Sequence, residues 1–209
     1  MIPTRPIHLL QLNNSTAAGR LARIFGIHVL LLICWVVLSD VVFDMRDFET
    51  SVESGFEKSP LLYALFAITV APLWEEAVFR LPFIRNRYMW MAVMLGVMFF
   101  LGVELLALKI LTGVYILFVC MYWVKQNVYL KFAVIAISVI LFGLIHIGNY
   151  SLADIEQMNG LEFVASFISQ LVLGIILTFV RLTYSFKHAV AYHVAFNGIL
   201  ISFGLILGS

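Results

Sequence analysis

Residues 60–80 are the segment on which the fold prediction depends, and their sequence is PLLYALFAITVAPLWEEAVFR. A helix needs about 20 mostly apolar residues to cross a bilayer. This segment has that length, and its only charged residues, Glu75, Glu76 and Arg80, lie near its end. It therefore predicts a membrane-crossing helix that carries ionisable groups.

The composition of the whole chain agrees with this segment. Of the 209 residues, 63% are hydrophobic and only 12% are charged, with a net charge of +1. A soluble domain is roughly 25% charged. The deficit of charge excludes an ordinary soluble globular protein, a disordered chain and a nucleic-acid binder.

We predict an all-α fold, a polytopic transmembrane helical bundle of about seven spans in a single domain over residues 1–209. Residues 1–59 form an N-terminal anchor helix and an acidic outer loop. No small-x-small cleavage pattern follows the first apolar run, so we expect an uncleaved anchor and not a signal peptide. The predicted spans are 24–43, 60–80, 88–107, 110–124, 131–147, 162–181 and 188–207.

Charged residues between these spans predict the orientation. Four regions hold ten of the thirteen Lys and Arg residues and no carboxylate, whereas the intervening 44–59 and 148–162 are acidic. Excess Lys and Arg marks the cytoplasmic side. The alternation predicts a multi-pass protein of the cell membrane with its N-terminus in the cytoplasm. The four cationic regions are 1–23, 80–87, 125–131 and 181–187.

An ionisable residue at membrane depth is by default a functional candidate. Glu76 and Arg80 are four residues apart, so they share a helix face in the favourable acid-before-base order. Glu75 projects about 100° away. We expect Arg80 to neutralise Glu76 and Glu75 to face the interior as a general base. The alternative is a purely structural polar cluster.

Two later spans also carry polar groups. Phe142 and His146 are four residues apart, and Gly143 between them allows close helix approach. His193 and Asn197 share a face of the last span, as suits oxyanion stabilisation. Each set also fits a hydrogen-bonded interhelical contact with no catalytic role.

Together these residues are typical of a hydrolase. They offer a base, two imidazoles and an amide, but no evident nucleophile. His-Glu-x-x-His is absent, which excludes a zincin helix. Glu75, His146 and His193 remain candidate ligands for a divalent metal such as zinc, because two His and one Glu form a known catalytic set.

Glu-Glu-x-x-x-Arg at 75–80, Phe-x-x-x-His at 142–146 and His-x-x-x-Asn at 193–197, in this order, resemble the CPBP family. These are CAAX-type proteases and bacteriocin-processing enzymes, also called the Abi family. The resemblance covers residues 60–209, which we interpret as a protease-like core. Leu81 stands where the family often has Gly. The long gap before His146 predicts an inserted helical hairpin near 88–124.

The resemblance implies an intramembrane endopeptidase that uses a water molecule activated by Glu75. His146 assists, His193 and Asn197 stabilise the oxyanion, and Glu76 and Arg80 shape the site. The implied substrate is a membrane-embedded or lipidated protein or peptide. Two other functions stay open: a non-catalytic membrane binding or immunity protein, and a proton-coupled transporter.

The predicted topology contains one conflict. It places Glu75 toward the inner end of its span and His146 at the outer end of another. The two meet only if Glu75 lies deeper, or if the polar segment after His146 dips inward and lines a cavity.

Overall fold

The computed structural model describes residues 14–43, 59–84 and 88–207. Most of the predicted acidic outer loop, at 44–58, lies outside the described residues, as do Arg5, Arg85 and Arg87 of the cationic regions. All regular elements in the described part of the chain are helical, which confirms the all-α prediction.

Most helices begin and end within a few residues of the predicted spans, but the first helix begins at Asn14, ten residues before the predicted span 24–43. The described part of the chain also contains two short 3₁₀ turns, Leu81–Phe83 with three residues and His146–Asn149 with four. A single π-helical turn, Phe66–Val70, joins α2 to α3 without a break. In chain order the α-helices are α1 Asn14–Phe43, α2 Pro60–Leu65, α3 Ala71–Phe79, α4 Met89–Gly102, α5 Leu106–Lys125, α6 Val128–Ile145, α7 Leu152–Gln157, α8 Gly160–Thr183 and α9 Phe186–Leu207.

Five helical segments of the described residues are long and apolar enough to cross a membrane. A sixth helix, α4, is apolar but has only 14 residues. These features are those of a multi-pass membrane protein. The five segments are Ala17–Trp35, Pro60–Phe83, Leu106–Lys125, Val128–Asn149 and Gly160–Thr183.

Six of the described helices, α3 among them, form a closed ring. In sequence order α3, α4, α5, α6, α8 and α9 each pack against the next, and α9 packs back against α3. Helix α1 lies outside this ring against α8 and α9. There His28 is buried, lies 3.0 Å from the Tyr192 hydroxyl and stacks on Phe196.

Helices α4 and α5 form a hairpin between α3 and α6. Position 96 faces Ile116 and position 113 faces Phe100, the reversed order of an antiparallel pair. The predicted span 88–107 is too long at its end, because α4 stops at Gly102 and the chain turns through Val103 to Leu105. A hairpin therefore occupies the predicted stretch 88–124.

Candidate active site

Three helices bring Glu75, His146 and His193 together. The Oε2 atom of Glu75 lies 3.7 Å from Nε2 of His193 and 4.0 Å from Nε2 of His146. Both distances exceed the usual length of a hydrogen bond. Glu75 Oε2 is buried without a hydrogen-bond partner, although about 20% of the Glu75 side chain is exposed. The three side chains thus lie next to one another, but no hydrogen bond joins Glu75 to either imidazole.

A second contact orients each imidazole. His146 Nδ1 is 2.7 Å from the Phe142 carbonyl oxygen, and since a carbonyl only accepts, Nδ1–H is the donor. His193 Nδ1 is 3.1 Å from Oε1 of Glu76 and donates to that carboxylate in the same way. In the neutral form, each ring therefore presents the lone pair of Nε2 toward Glu75.

Glu76 and Arg80 form the buried side of the site. Their side chains are fully buried, with 3.3 Å between Oε1 of Glu76 and Nη1 of Arg80. The Arg80 guanidinium lies over the Phe142 ring, 4.0 Å from its centre. Its Nη2 donates to the Gly174 carbonyl at 3.4 Å. A Cβ atom at position 174 would lie 3.0 Å from Phe142, so glycine permits this close approach.

Two residues that sequence reasoning did not select hold the end of α3. The last carbonyls of a helix have no partner within it. The Tyr115 hydroxyl donates to the Val78 carbonyl at 2.8 Å, and Nε of Arg181 donates to the Arg80 carbonyl at 3.1 Å. Arg181 was counted among the loop cations, but the structure buries it. The sequence feature that could have indicated this burial is the position of Arg181 in the last turn of a long apolar helix.

The π turn explains the placement of Asn197. Within this turn the Ala71 N–H bonds to the Phe66 carbonyl, so the Ala67 carbonyl would be matched with Pro72, which has no N–H. Asn197 Nδ2 donates to the Ala67 carbonyl at 2.9 Å. The contact of Asn197 is with this backbone and not with Glu75, and its role at an oxyanion stays a prediction.

Glu75 and His146 open onto a cavity of about 420 Å³. Among the described residues, most of its wall is apolar, and Asn149 adds an amide beside Glu75 and His146. A second cavity, of about 590 Å³, shares part of this wall. Residues common to both walls are Trp74, Phe99, Ile145 and Asn149.

The structure brings Glu75 and His146 together despite the conflict between their predicted depths, with 4.0 Å between Glu75 Oε2 and His146 Nε2. Beyond the turn that follows α6, the Tyr150 hydroxyl lies 3.3 Å from Ser166 Oγ of α8. The chain from Gly148 to Ser151 lines the larger cavity, as predicted for the polar segment after His146, and its inward dip stays a prediction.

Metal binding by Glu75, His146 and His193 does not fit this geometry. Among the described residues, no three His, Cys, Asp or Glu side chains are arranged to hold a metal ion. The Nδ1 atoms of His146 and His193 donate to Phe142 and Glu76, which by itself is compatible with a metal ligand, so the absence of such a group among the described residues decides the point. We therefore derive no step through a metal.

Comparison with known proteins adds no relative: no family model, curated protein or solved structure matches this chain.

Proposed function

We propose that this chain is an intramembrane endopeptidase that hydrolyses a peptide bond with a water molecule activated by Glu75. The observation that carries the proposal is the convergence of Glu75 from α3, His146 from the turn after α6 and His193 from α9, with Glu75 and His146 on the wall of a cavity. A base held between two imidazoles whose second nitrogens are fixed suits general acid–base catalysis. The resemblance to the CPBP family at 75–80, 142–146 and 193–197 supports the same reaction.

In this mechanism Glu75 Oε2 accepts a proton from water as the water oxygen bonds to the carbonyl carbon of the substrate. A water molecule at ordinary hydrogen-bond distance from Glu75 Oε2 is also within reach of both Nε2 atoms, since these lie 3.7 and 4.0 Å from it. His193, when protonated on Nε2, donates to the oxyanion. The C–N bond then breaks, and the proton on Glu75 passes to the leaving amine, with His146 assisting.

The remaining residues act as positioning residues in this proposal. Glu76 accepts from His193, and Arg80 balances the charge of Glu76. Asn197 satisfies the Ala67 carbonyl of the π turn and so supports the helix that presents Glu75.

The substrate class we propose is a membrane-anchored or lipidated protein or peptide. The cavity of about 420 Å³ beside Glu75 has a mostly apolar wall, including Phe66, Val70 and Trp74. An apolar wall favours an apolar substrate segment, because burying it removes apolar surface from water. We further propose the cell membrane as the location, with the N-terminus in the cytoplasm, from the distribution of Lys and Arg.

The test compares cells that express the wild type, Glu75→Gln or Glu156→Gln at equal membrane levels. Glu156 is an exposed carboxylate on α7 that lines neither cavity, which makes it a matched control. Mass spectrometry of membrane-protein termini should find new termini with the wild type and Glu156→Gln only. Identical termini in all three, with the cellular effect of the protein retained by Glu75→Gln, would favour the non-catalytic binding or immunity protein.

A further inference from the structure

The cavity beside Glu75 has a larger neighbour. The two share four wall residues, and the larger cavity extends from Trp74 and Phe99 to the turn between α4 and α5. We call the larger cavity, of about 590 Å³, the outer groove. An extended segment that has its reacting bond at Glu75 would continue into it.

Glu104 gives the outer groove a negative charge. It is an exposed residue of the turn that joins α4 to α5, and it is the one charged side chain among the described residues that line this groove. Lys109 is the lysine nearest to Glu104 in sequence and therefore the obvious local partner for an ion pair. The structure instead places Lys109 Nζ 5.8 Å from the centre of the Phe100 ring, and no ion pair joins Glu104 to another described residue.

The rest of the outer groove suits a cation with an apolar neighbour. Trp74 and Phe99 supply aromatic surfaces, which attract cations as well as apolar groups. Asn149 and Ser151 supply uncharged polar groups. The neighbouring segment 148–162 carries three carboxylates and no Lys or Arg, so nothing there opposes a bound cation.

We propose that the outer groove binds a peptide in which an apolar segment is followed by a lysine or arginine, whose cation pairs with Glu104. This specificity rests on the proposed function, since it assumes that the groove receives the substrate of the Glu75 site. Glu104 would then select substrates by charge and take no part in the reaction.

Binding can be measured apart from cleavage in the Glu75→Gln background. The reporter is Trp74, which lines both cavities, in a full-length variant with Trp35, Trp90 and Trp123 replaced by Phe. The probes are two synthetic peptides of about 20 Leu and Ala residues. One ends in a lysine and the other in a glutamine, both have capped termini, and a dinitrophenyl quencher sits beside that residue. Vesicles of phosphatidylcholine avoid attraction of lysine to anionic lipid.

We expect the lysine peptide to bind about fivefold more tightly than the glutamine peptide, as for a favourable partly exposed ion pair. Glu104→Gln should bring the ratio to about one, whereas Glu156→Gln should leave it unchanged. Equal binding of the two peptides to the Glu104 protein, a preference that survives Glu104→Gln, or no quenching of Trp74 would each overturn the proposal.

A cleavage assay with Glu75 restored separates this inference from the function on which it rests. A lysine preference that depends on Glu104, without cleavage of any membrane protein, would sink the peptidase and leave the binding site standing. Cleavage that depends on Glu75 but not on Glu104 would support the peptidase and overturn the selection of substrates by Glu104.

Discussion

The two sides of α3 differ in how their carboxylates are held, although Glu75 and Glu76 are adjacent in sequence. Glu76 is fully buried, paired with Arg80 and bonded to His193. Glu75 is partly exposed, and its Oε2 atom faces two imidazoles without a hydrogen bond. The helical step of about 100° per residue is enough to separate the two environments.

One short helix can therefore supply both a structural charge pair and a reactive group. A buried charge with its partner removed is expensive, so we assign the Glu76 side to stability. The Glu75 side chain lines a cavity and is about 20% exposed, so we assign the Glu75 side to chemistry. Each variant below tests whether a residue belongs to the side on which we place it.

Arg80→Met should have the largest effect, because it leaves Glu76 buried without its charge partner. We expect a loss of about 3–5 kcal/mol in the free energy of unfolding. Unfolding in mixed micelles, followed by circular dichroism, measures it. The double variant Glu76→Gln with Arg80→Met should recover part of the loss, and equal losses in the single and double variants would break the assignment.

His146→Gln changes the side of the site that faces the cavity and leaves the pair of Glu76 and Arg80 intact. Cleavage of a substrate identified by its new terminus should fall about 100-fold, while stability falls by only about 1 kcal/mol, because one hydrogen bond to the Phe142 carbonyl is lost. His193→Gln should lower both cleavage and stability, since His193 also bonds to Glu76. If the two variants destabilise the protein equally, the division between the two sides is wrong.

Gly143→Ala tests the packing behind the buried side. A Cβ atom at position 143 would lie 2.8 Å from Cε2 of Phe167 and 3.3 Å from the backbone nitrogen of Leu171. Separating α6 from α8 should cost about 1–3 kcal/mol of stability. Gly26→Ala is the control, because nothing lies within 4 Å of its added Cβ. Similar unfolding curves for both variants would contradict the predicted contact.

Tyr115→Phe should have the smallest effect, because it removes one hydroxyl that donates to the end of α3. The expected loss is about 1 kcal/mol. Tyr129→Phe, at an exposed tyrosine on α6, should change nothing measurable. Equal stability of Tyr115→Phe and the wild type would show that the hairpin α4–α5 does not support the site through this bond.

The sequence was sufficient for the helices and for contacts within one helix. Spans such as 110–124 and 162–181 lie inside helices α5 and α8. The pairing of Glu76 with Arg80 followed from their spacing, and so did the separate direction of Glu75. Such contacts depend on the local helical repeat alone.

Contacts between helices could not be predicted in the same way. The meeting of Glu75 with His146 depends on the relative heights of α3 and α6, which hydropathy leaves undetermined. The bond from Asn197 to Ala67 depends on a π turn whose hydrogen-bond register is not visible in composition. The burial of Arg181 depends on how far α8 passes the end of α3.

The most direct measurement compares the Glu75→Gln and Glu76→Gln variants, prepared in the same way. Cleavage of the identified substrate and the free energy of unfolding are measured for each. We predict that Glu75→Gln lowers the cleavage rate by at least about 100-fold at unchanged stability. Glu76→Gln should lose stability. Cleavage at the wild-type rate by Glu75→Gln would contradict the account.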